Sequence, residues 1–118
     1  MVTIPQHGPA GELYDMQSFL ADVDSYFTID AWRIRVQECL GEGADEVERA
    51  SAAGLLMSDA SFREAYSDLY QTIDGEFVAL SRGAVCCTLQ AVDSTSWDVS
   101  GTPDFEAHMR TKYHDGSA

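Results

Sequence analysis

The sequence FVALSRGAVCCTLQAVD at positions 77–93 decides the predicted fold of this 118-residue chain. Two apolar runs flank Arg82-Gly83, and such a pair between two runs is typical of the tight turn of a β-hairpin. After a further turn at 94–96, Trp97 and Val99 alternate with polar residues and predict a third strand. The segment therefore predicts an antiparallel β-meander of about three strands.

Helical spacing dominates the residues that precede this meander. Apolar side chains recur at steps of three and four in residues 13–27, 44–57 and 61–73, and at steps of four in residues 32–40. These four segments predict about four helices. Residues 1–11 contain two prolines and two glycines and predict a loose N-terminal segment.

A short helix is predicted after the meander, because Thr102 suits an N-cap, Pro103 suits the first helical position and Phe105 begins an apolar side. We therefore expect a single acidic α+β domain over residues 1–118, with an N-terminal helical block packed on the small meander and a C-terminal helix. A domain of this length buries about two thirds of the surface that its unfolded chain exposes. It should fold without disulfides.

Acidic residues are concentrated in the predicted helical block. Fifteen of the 20 carboxylates lie between Glu12 and Glu76, against four arginines, so this segment carries −11 of the formal net charge of −13. Such a chain repels nucleic acid and anionic lipid, whose binders normally supply Lys and Arg. Direct binding to nucleic acid or to a membrane is not expected, whereas encounter with a basic protein is favoured.

The chain is expected to be cytoplasmic. Residues 1–11 have neither the basic nor the apolar region of a secretory signal, and no apolar run approaches the length of a membrane span. Cys39, Cys86 and Cys87 are an odd number of thiols, and adjacent side chains on a strand point to opposite faces. Reduced thiols in a cytoplasm are the simplest interpretation.

No motif for catalysis, for a cofactor or for a metal ion is recognisable. The sequence contains no phosphate-binding glycine loop, nucleophile elbow or paired-histidine zinc motif. His7 lies in the loose N-terminal segment, and His108 and His114, six residues apart, fall on different faces of a helix. The chain is therefore predicted not to be an enzyme, and to need no cofactor or metal.

The densest acidic run is the predicted partner-binding surface. It has five carboxylates within 11 residues and no basic residue before Arg49, so it offers negative charge to Lys and Arg of a partner. Carboxylates on the outer face of the first predicted helix extend it, and two tyrosines beside apolar stripes are the expected exposed anchors. The predicted binding residues are Glu38, Glu42, Asp45, Glu46, Glu48, Asp15, Asp22, Tyr14 and Tyr70.

These features favour a small non-enzymatic protein that binds and inhibits a basic macromolecular partner. Two kinds of target fit: a toxin, for an immunity-type protein, and a nucleic-acid-targeting defence complex, for a phage-type inhibitor. In composition the chain resembles phage or plasmid antirestriction and anti-CRISPR proteins, whose carboxylates imitate the phosphates of DNA. The resemblance implies that the acidic residues occupy the basic groove of a nucleic-acid enzyme.

Three other interpretations stay open. The acidity is also explained by adaptation to a salty cytoplasm or to a genome of high G+C content, which fits one lysine beside six arginines. A small-ligand or enzyme pocket between sheet and helices would have Trp97, His108 and Cys87 as lining residues. The chain would also suit an oligomeric structural subunit, and a homodimer is compatible with its composition.

Overall fold

A computed structural model describes residues 1–113 and shows an α+β fold built around one antiparallel sheet. In chain order its elements are β1 (Val2–Pro5), α1 (Met16–Tyr26), β2 (Ala31–Gly41), α2 (Ala44–Ser51), β3 (Leu55–Ser58), α3 (Asp59–Ala65), β4 (Leu69–Ser81), β5 (Ala84–Val92), β6 (Ser96–Ser100) and α4 (Pro103–Tyr113). The six strands lie in the order β1-β6-β5-β4-β2-β3. No helix among these residues is long and apolar enough to cross a membrane.

The predicted N-terminal block of helices on a three-stranded meander is wrong, because the block contains two strands of the main sheet. Residues 32–40, predicted as a helix, lie in β2. There Trp32, Ile34 and Val36 are buried, while Arg33 is exposed. A four-residue step fits one turn of a helix and also two periods of a strand. The spacing of apolar residues at 32, 36 and 40 therefore does not distinguish a helix from a strand. The buried Ile34 fits only the strand.

Two other predicted helices end early. Helix α2 stops at Ser51, and a turn with Gly54 in the left-handed region (φ 95°) leads into β3. Helix α3 stops at Ala65, and residues 69–73 belong to β4. The spacing of a short apolar run fits a helix or a strand. Here both runs pair with β2, so residues 55–58 and 69–73 form strands.

The N-terminal segment is more ordered than its composition predicts. Val2 and Ile4 are buried opposite Val99 and Trp97, so the segment adds an edge strand to β6. Its outer residues Thr3 and Pro5 alternate with these two buried side chains. The predicted loose segment is therefore partly a strand, because its two apolar residues complete the core.

The predicted meander and the predicted final helix are both present. Strands β4, β5 and β6 pair in succession, and Arg82 and Gly83 both adopt positive φ at the turn between β4 and β5. Positive φ at two central residues is typical of the turn that matches the twist of a two-stranded hairpin. Helix α4 begins at Pro103 and buries Phe105 and Met109.

The core lies between the sheet and helices α1, α3 and α4. Phe62 of α3 stacks on Trp32 with ring centroids 4.6 Å apart, and Phe19 of α1 meets Trp97 edge-on at 5.1 Å. Phe105 of α4 is fully buried beside them in the same cluster. Side chains on the opposite face of β5 and β6 are largely polar and half-buried or exposed, so the helices cover one face of the sheet.

Helix α2 protects the part of β2 that β3 does not reach. Strand β3 pairs only with residues 31–34 of β2. Beyond that point, the backbone N–H of Val36 donates to Ser51 Oγ at 3.0 Å, and the N–H of Cys39 donates to Glu48 Oε2 at 3.0 Å. Side chains of α2 therefore accept the backbone N–H groups of β2 that a neighbouring strand would otherwise pair with.

We expect Ser51→Ala to lower the free energy of unfolding by about 1–3 kcal/mol, because it leaves the buried N–H of Val36 without an acceptor. Urea denaturation followed by circular dichroism measures this change. Ser25→Ala is the matched control, because Ser25 Oγ donates to a carbonyl at an exposed helical position. The control should change stability by no more than about 0.5 kcal/mol. Equal effects of the two substitutions would contradict this role for Ser51.

Candidate functional site

A groove of about 390 Å³ lies between α2 and α3, above the end of the sheet formed by β2 and β3. Ile34, Leu55, Met57 and Val47 give it an apolar lining. Small residues such as Ala50 and Ala65 also line it, so the two helices do not fill the space between them. The groove is a surface feature with an apolar interior, of the kind that receives an apolar side chain.

Carboxylates stand on both helical walls of this groove. Glu46 of α2 and Glu64 of α3 line it, and both side chains are exposed. Neither forms an ion pair within residues 1–113. A second, more polar depression adjoins the groove, since it shares Gly43 and Glu46 and is also lined by Asp45. Arg49 lines that depression too and is its basic side chain.

The N-terminus of α2 positions the acidic wall. Gly43 precedes the helix in the left-handed region, with φ 84°, which allows the sharp turn from β2 into α2. Asp45 and Glu46 then occupy the first helical turn. Carboxylates are favourable there because the helix dipole places partial positive charge at the N-terminus.

The opposite wall is fixed by contacts of Asp59 at the start of α3. Trp32 Nε1 donates to Asp59 Oδ1 at 2.8 Å, and Arg63 Nε lies 2.9 Å from Asp59 Oδ2. Arg63 also pairs with Asp24 of α1 at 2.6 Å. These contacts tie α3 to the sheet and to α1, so Glu64 is presented from a constrained helix.

The structure brings only part of the predicted acidic run to the groove. Asp45 and Glu46 line the groove or its polar neighbour, and the exposed Glu42 lies in the turn just before α2. Glu48 is half-buried and accepts the N–H of Cys39. Glu38 is exposed on β2, at the irregular part of its pairing with β4.

Asp15, predicted on an exposed helical face, is buried. It precedes α1 as the N-cap residue, and its Oδ1 accepts the backbone N–H of Thr72 at 2.7 Å. Its Oδ2 has no hydrogen-bond partner within residues 1–113. Burial raises the pKa of Asp15 to about 6, although the hydrogen bonds from Thr72 and Met16 oppose that rise.

Asp22 is also buried, and it joins α1 to α4. Its Oδ1 lies 2.7 Å from His108 Nε2 and 2.8 Å from Lys112 Nζ, and its Oδ2 accepts the hydroxyl of Tyr113. Burial alone would raise the pKa of Asp22, but the three hydrogen bonds outweigh burial and lower it. Burial, together with the hydrogen bond to Asp22, raises the pKa of Tyr113. Asp22 therefore acts here as an internal anchor.

The predicted aromatic anchors differ in exposure. Tyr70 is 59% exposed at the start of β4, which leaves its ring accessible to a partner. Tyr14 is half-buried and packs edge-on against Tyr113, with ring centroids 4.9 Å apart. Of the two predicted anchors, Tyr70 is therefore the one whose ring a partner can reach.

None of the three side chains predicted to line a ligand pocket lines the groove. Trp97 is fully buried and donates from Nε1 to the carbonyl of Tyr14. Cys87 is buried, and burial raises the pKa of its thiol to about 12, so the thiol stays protonated at neutral pH. His108 is held by Asp22. His114 lies outside the described residues.

Sequence reasoning missed Glu64, Leu55 and Met57 as site residues. All three lie in segments whose spacing predicts helices, Leu55 and Met57 in residues 44–57 and Glu64 in residues 61–73. The signal for β3 was the apolar run directly after Gly54, since such a run also suits a short strand. The signal for Glu64 appears only in the fold, because its neighbour across the groove, Glu46, is distant in sequence.

Asp15→Asn should remove a pH-dependent part of the stability. The raised pKa of Asp15 means that the folded chain keeps this proton after the unfolded chain has lost it. Its contribution is therefore fully present below the unfolded pKa of 3.8 and is lost as pH rises through about 6. The shift corresponds to roughly 2–3 kcal/mol.

Urea denaturation of both proteins from about pH 4 to about pH 7 measures this contribution. The free energy of unfolding of the native protein should fall relative to that of Asp15→Asn as pH rises. Asp104→Asn, at an exposed position in α4, controls for the loss of one negative charge. Parallel profiles for the native protein and Asp15→Asn would contradict the raised pKa.

The groove has an apolar lining and two carboxylates. Together they suit binding of an apolar group that is flanked by positive charge. Among residues 1–113, no three His, Cys, Asp or Glu side chains are grouped so that they could hold a metal ion.

No family model, curated protein or solved structure matches this chain.

Proposed function

We propose that this protein is a non-catalytic binding protein whose groove between α2 and α3 receives an apolar side chain of a basic protein partner. Lys or Arg residues beside that side chain would pair with Glu46 and Glu64. The observation that supports this most directly is an apolar groove with an exposed carboxylate on each wall and no ion pair to either within residues 1–113.

The overall charge supports a basic partner. A formal net charge of −13 attracts positively charged surfaces over about one Debye length, roughly 8–10 Å at physiological salt. Attraction of this kind raises the rate of association more than it slows dissociation. The same charge opposes direct contact with nucleic acid or with an anionic membrane, so the partner is a protein.

Inhibition is the action that we propose for this binding. A non-catalytic binding protein can act on its partner by covering a surface that the partner needs. Toxins and nucleic-acid-targeting complexes carry basic surfaces for their own substrates, which makes an immunity-type or phage-type inhibitor the finer form of the proposal. Glu42, exposed in the turn directly before Gly43 of the groove lining, would extend the contact.

Glu46→Gln combined with Glu64→Gln should weaken binding of basic peptides by about two- to thirty-fold, because two exposed ion pairs contribute about 0.4–2 kcal/mol together. Two peptide probes cover an extended and a helical partner. The extended probe has arginine, valine and arginine at alternate positions, separated by threonines. The other is an alanine-rich helical peptide with arginine, leucine and arginine on one face. Calorimetry at low and at physiological salt measures both affinities.

Two controls accompany this experiment. Glu12→Gln combined with Asp104→Asn removes the same charge at exposed positions that do not line the groove, and it should change affinity by less than about twofold. Peptides with glutamate in place of arginine should not bind. If neither basic peptide binds, or if the two double variants bind equally, the proposed groove is not the binding surface.

The natural partner is best sought by capture from a nuclease-treated lysate and elution with rising salt. The native protein should retain a basic protein that the Glu46→Gln, Glu64→Gln variant releases at lower salt. Retention that is identical for both proteins would place the contact elsewhere on the molecule.

A further inference from the structure

Strand β3 forms one edge of the sheet, and its outward backbone groups can be identified. The N–H of Asp59 donates to the carbonyl of Asp30 at 3.0 Å, which continues the antiparallel pairing of β3 with β2. Alternate residues of an antiparallel strand bond to the same neighbour, so Leu55 and Met57 also face β2. The N–H and C=O of Leu56 therefore point away from the sheet.

The two edges of the sheet differ in protection. The β1 edge ends in Pro5, and Met1, the residue before β1, forms an ion pair through the N-terminal amine with Glu106 of α4. Proline, charge and bulges are common devices that stop another strand from adding to an edge. Strand β3 contains no proline or charged residue and pairs with β2 without a bulge, and its Leu56 side chain is 64% exposed.

The free edge of β3 and the groove lie side by side. Leu55 and Met57 line the groove, while Leu56 between them points to the opposite face of the sheet. A strand added along β3 would place alternate side chains beside Leu55 and Met57. Arginines next to those side chains would reach towards Glu46 and Glu64.

We infer, on the basis of the proposed function, that the basic partner binds through an extended segment that adds a strand to β3. Its backbone pairs with the N–H and C=O of Leu56, and a central apolar side chain enters the groove. Its flanking basic side chains lie on the groove face, because Arg33, the β2 neighbour of Leu56, occupies the opposite face and repels them there. Backbone pairing supplies affinity and the alternating side chains supply specificity.

The test is Leu56→Pro, probed with the arginine-valine-threonine peptide. Proline removes the outward N–H without removing a hydrogen bond to β2, and edge strands tolerate it when the N–H faces solvent. Affinity should fall about tenfold or more, since a hydrogen bond is lost and the ring blocks close approach. Leu56→Thr keeps the N–H and a strand-forming side chain, and it should stay within about threefold of the native protein. Circular dichroism establishes that both variants fold.

A second measurement uses the native protein and needs no variant. Amide hydrogen exchange at Leu56, followed by NMR, should slow at least about tenfold when the peptide binds, because its N–H becomes hydrogen-bonded. Unchanged exchange at Leu56 in the saturated complex would overturn strand addition.

The outcomes separate this inference from the proposed function. Suppose that the double variant Glu46→Gln, Glu64→Gln binds the helical peptide more weakly, while Leu56→Pro leaves peptide affinity unchanged and peptide binding leaves amide exchange at Leu56 unchanged. The groove then binds a basic partner, but the partner does not add a strand. If the double glutamine variant binds both peptides normally, the proposed function fails as well. Strand addition stands only when Leu56→Pro and the groove variant both weaken binding and Leu56→Thr does not.

Discussion

Pairing of β2 with β4 is the interaction on which the rest of the structure depends. It runs from Ala31 opposite Leu80 to Gly41 opposite Leu69, and it joins the N-terminal half of the chain to the C-terminal meander. Irregularities in the second half of this pairing bend the strands locally. Because β4 holds one side of β2, the other side is available to β3 and α2. These two elements then form the floor and one wall of the groove.

The acidic residues serve two different purposes in this fold. Asp15 and Asp22 lie in the interior, where one accepts a backbone N–H of β4 and the other binds three donors of α4. Glu48 satisfies the backbone of β2 at a place where no strand lies. These carboxylates fix helices to the sheet. Other carboxylates, such as Glu46, are exposed and form no ion pair within residues 1–113, and these are the ones that the proposed partner would contact.

Local signals in the sequence predicted the elements whose structure is decided locally. Arg82-Gly83 predicted the hairpin turn, and Pro103 predicted the start of α4. The sequence failed where distant partners decide. Strand β2 needs β4, and the burial of Asp22 depends on α4, whose donors lie more than 80 residues away. The acidic run was visible in the sequence, but the groove beside it required the placement of β3 and α3.

The size of the groove limits how tightly it can bind by itself. Burial of one side chain as large as leucine contributes about 1.5–3 kcal/mol. Two exposed ion pairs add about 0.4–2 kcal/mol together. Association costs at least about 4 kcal/mol in lost translational and rotational freedom, so these contacts alone give weak binding. A stable complex would therefore need further contact, and the outward backbone of Leu56 beside the groove is the place that we propose for it.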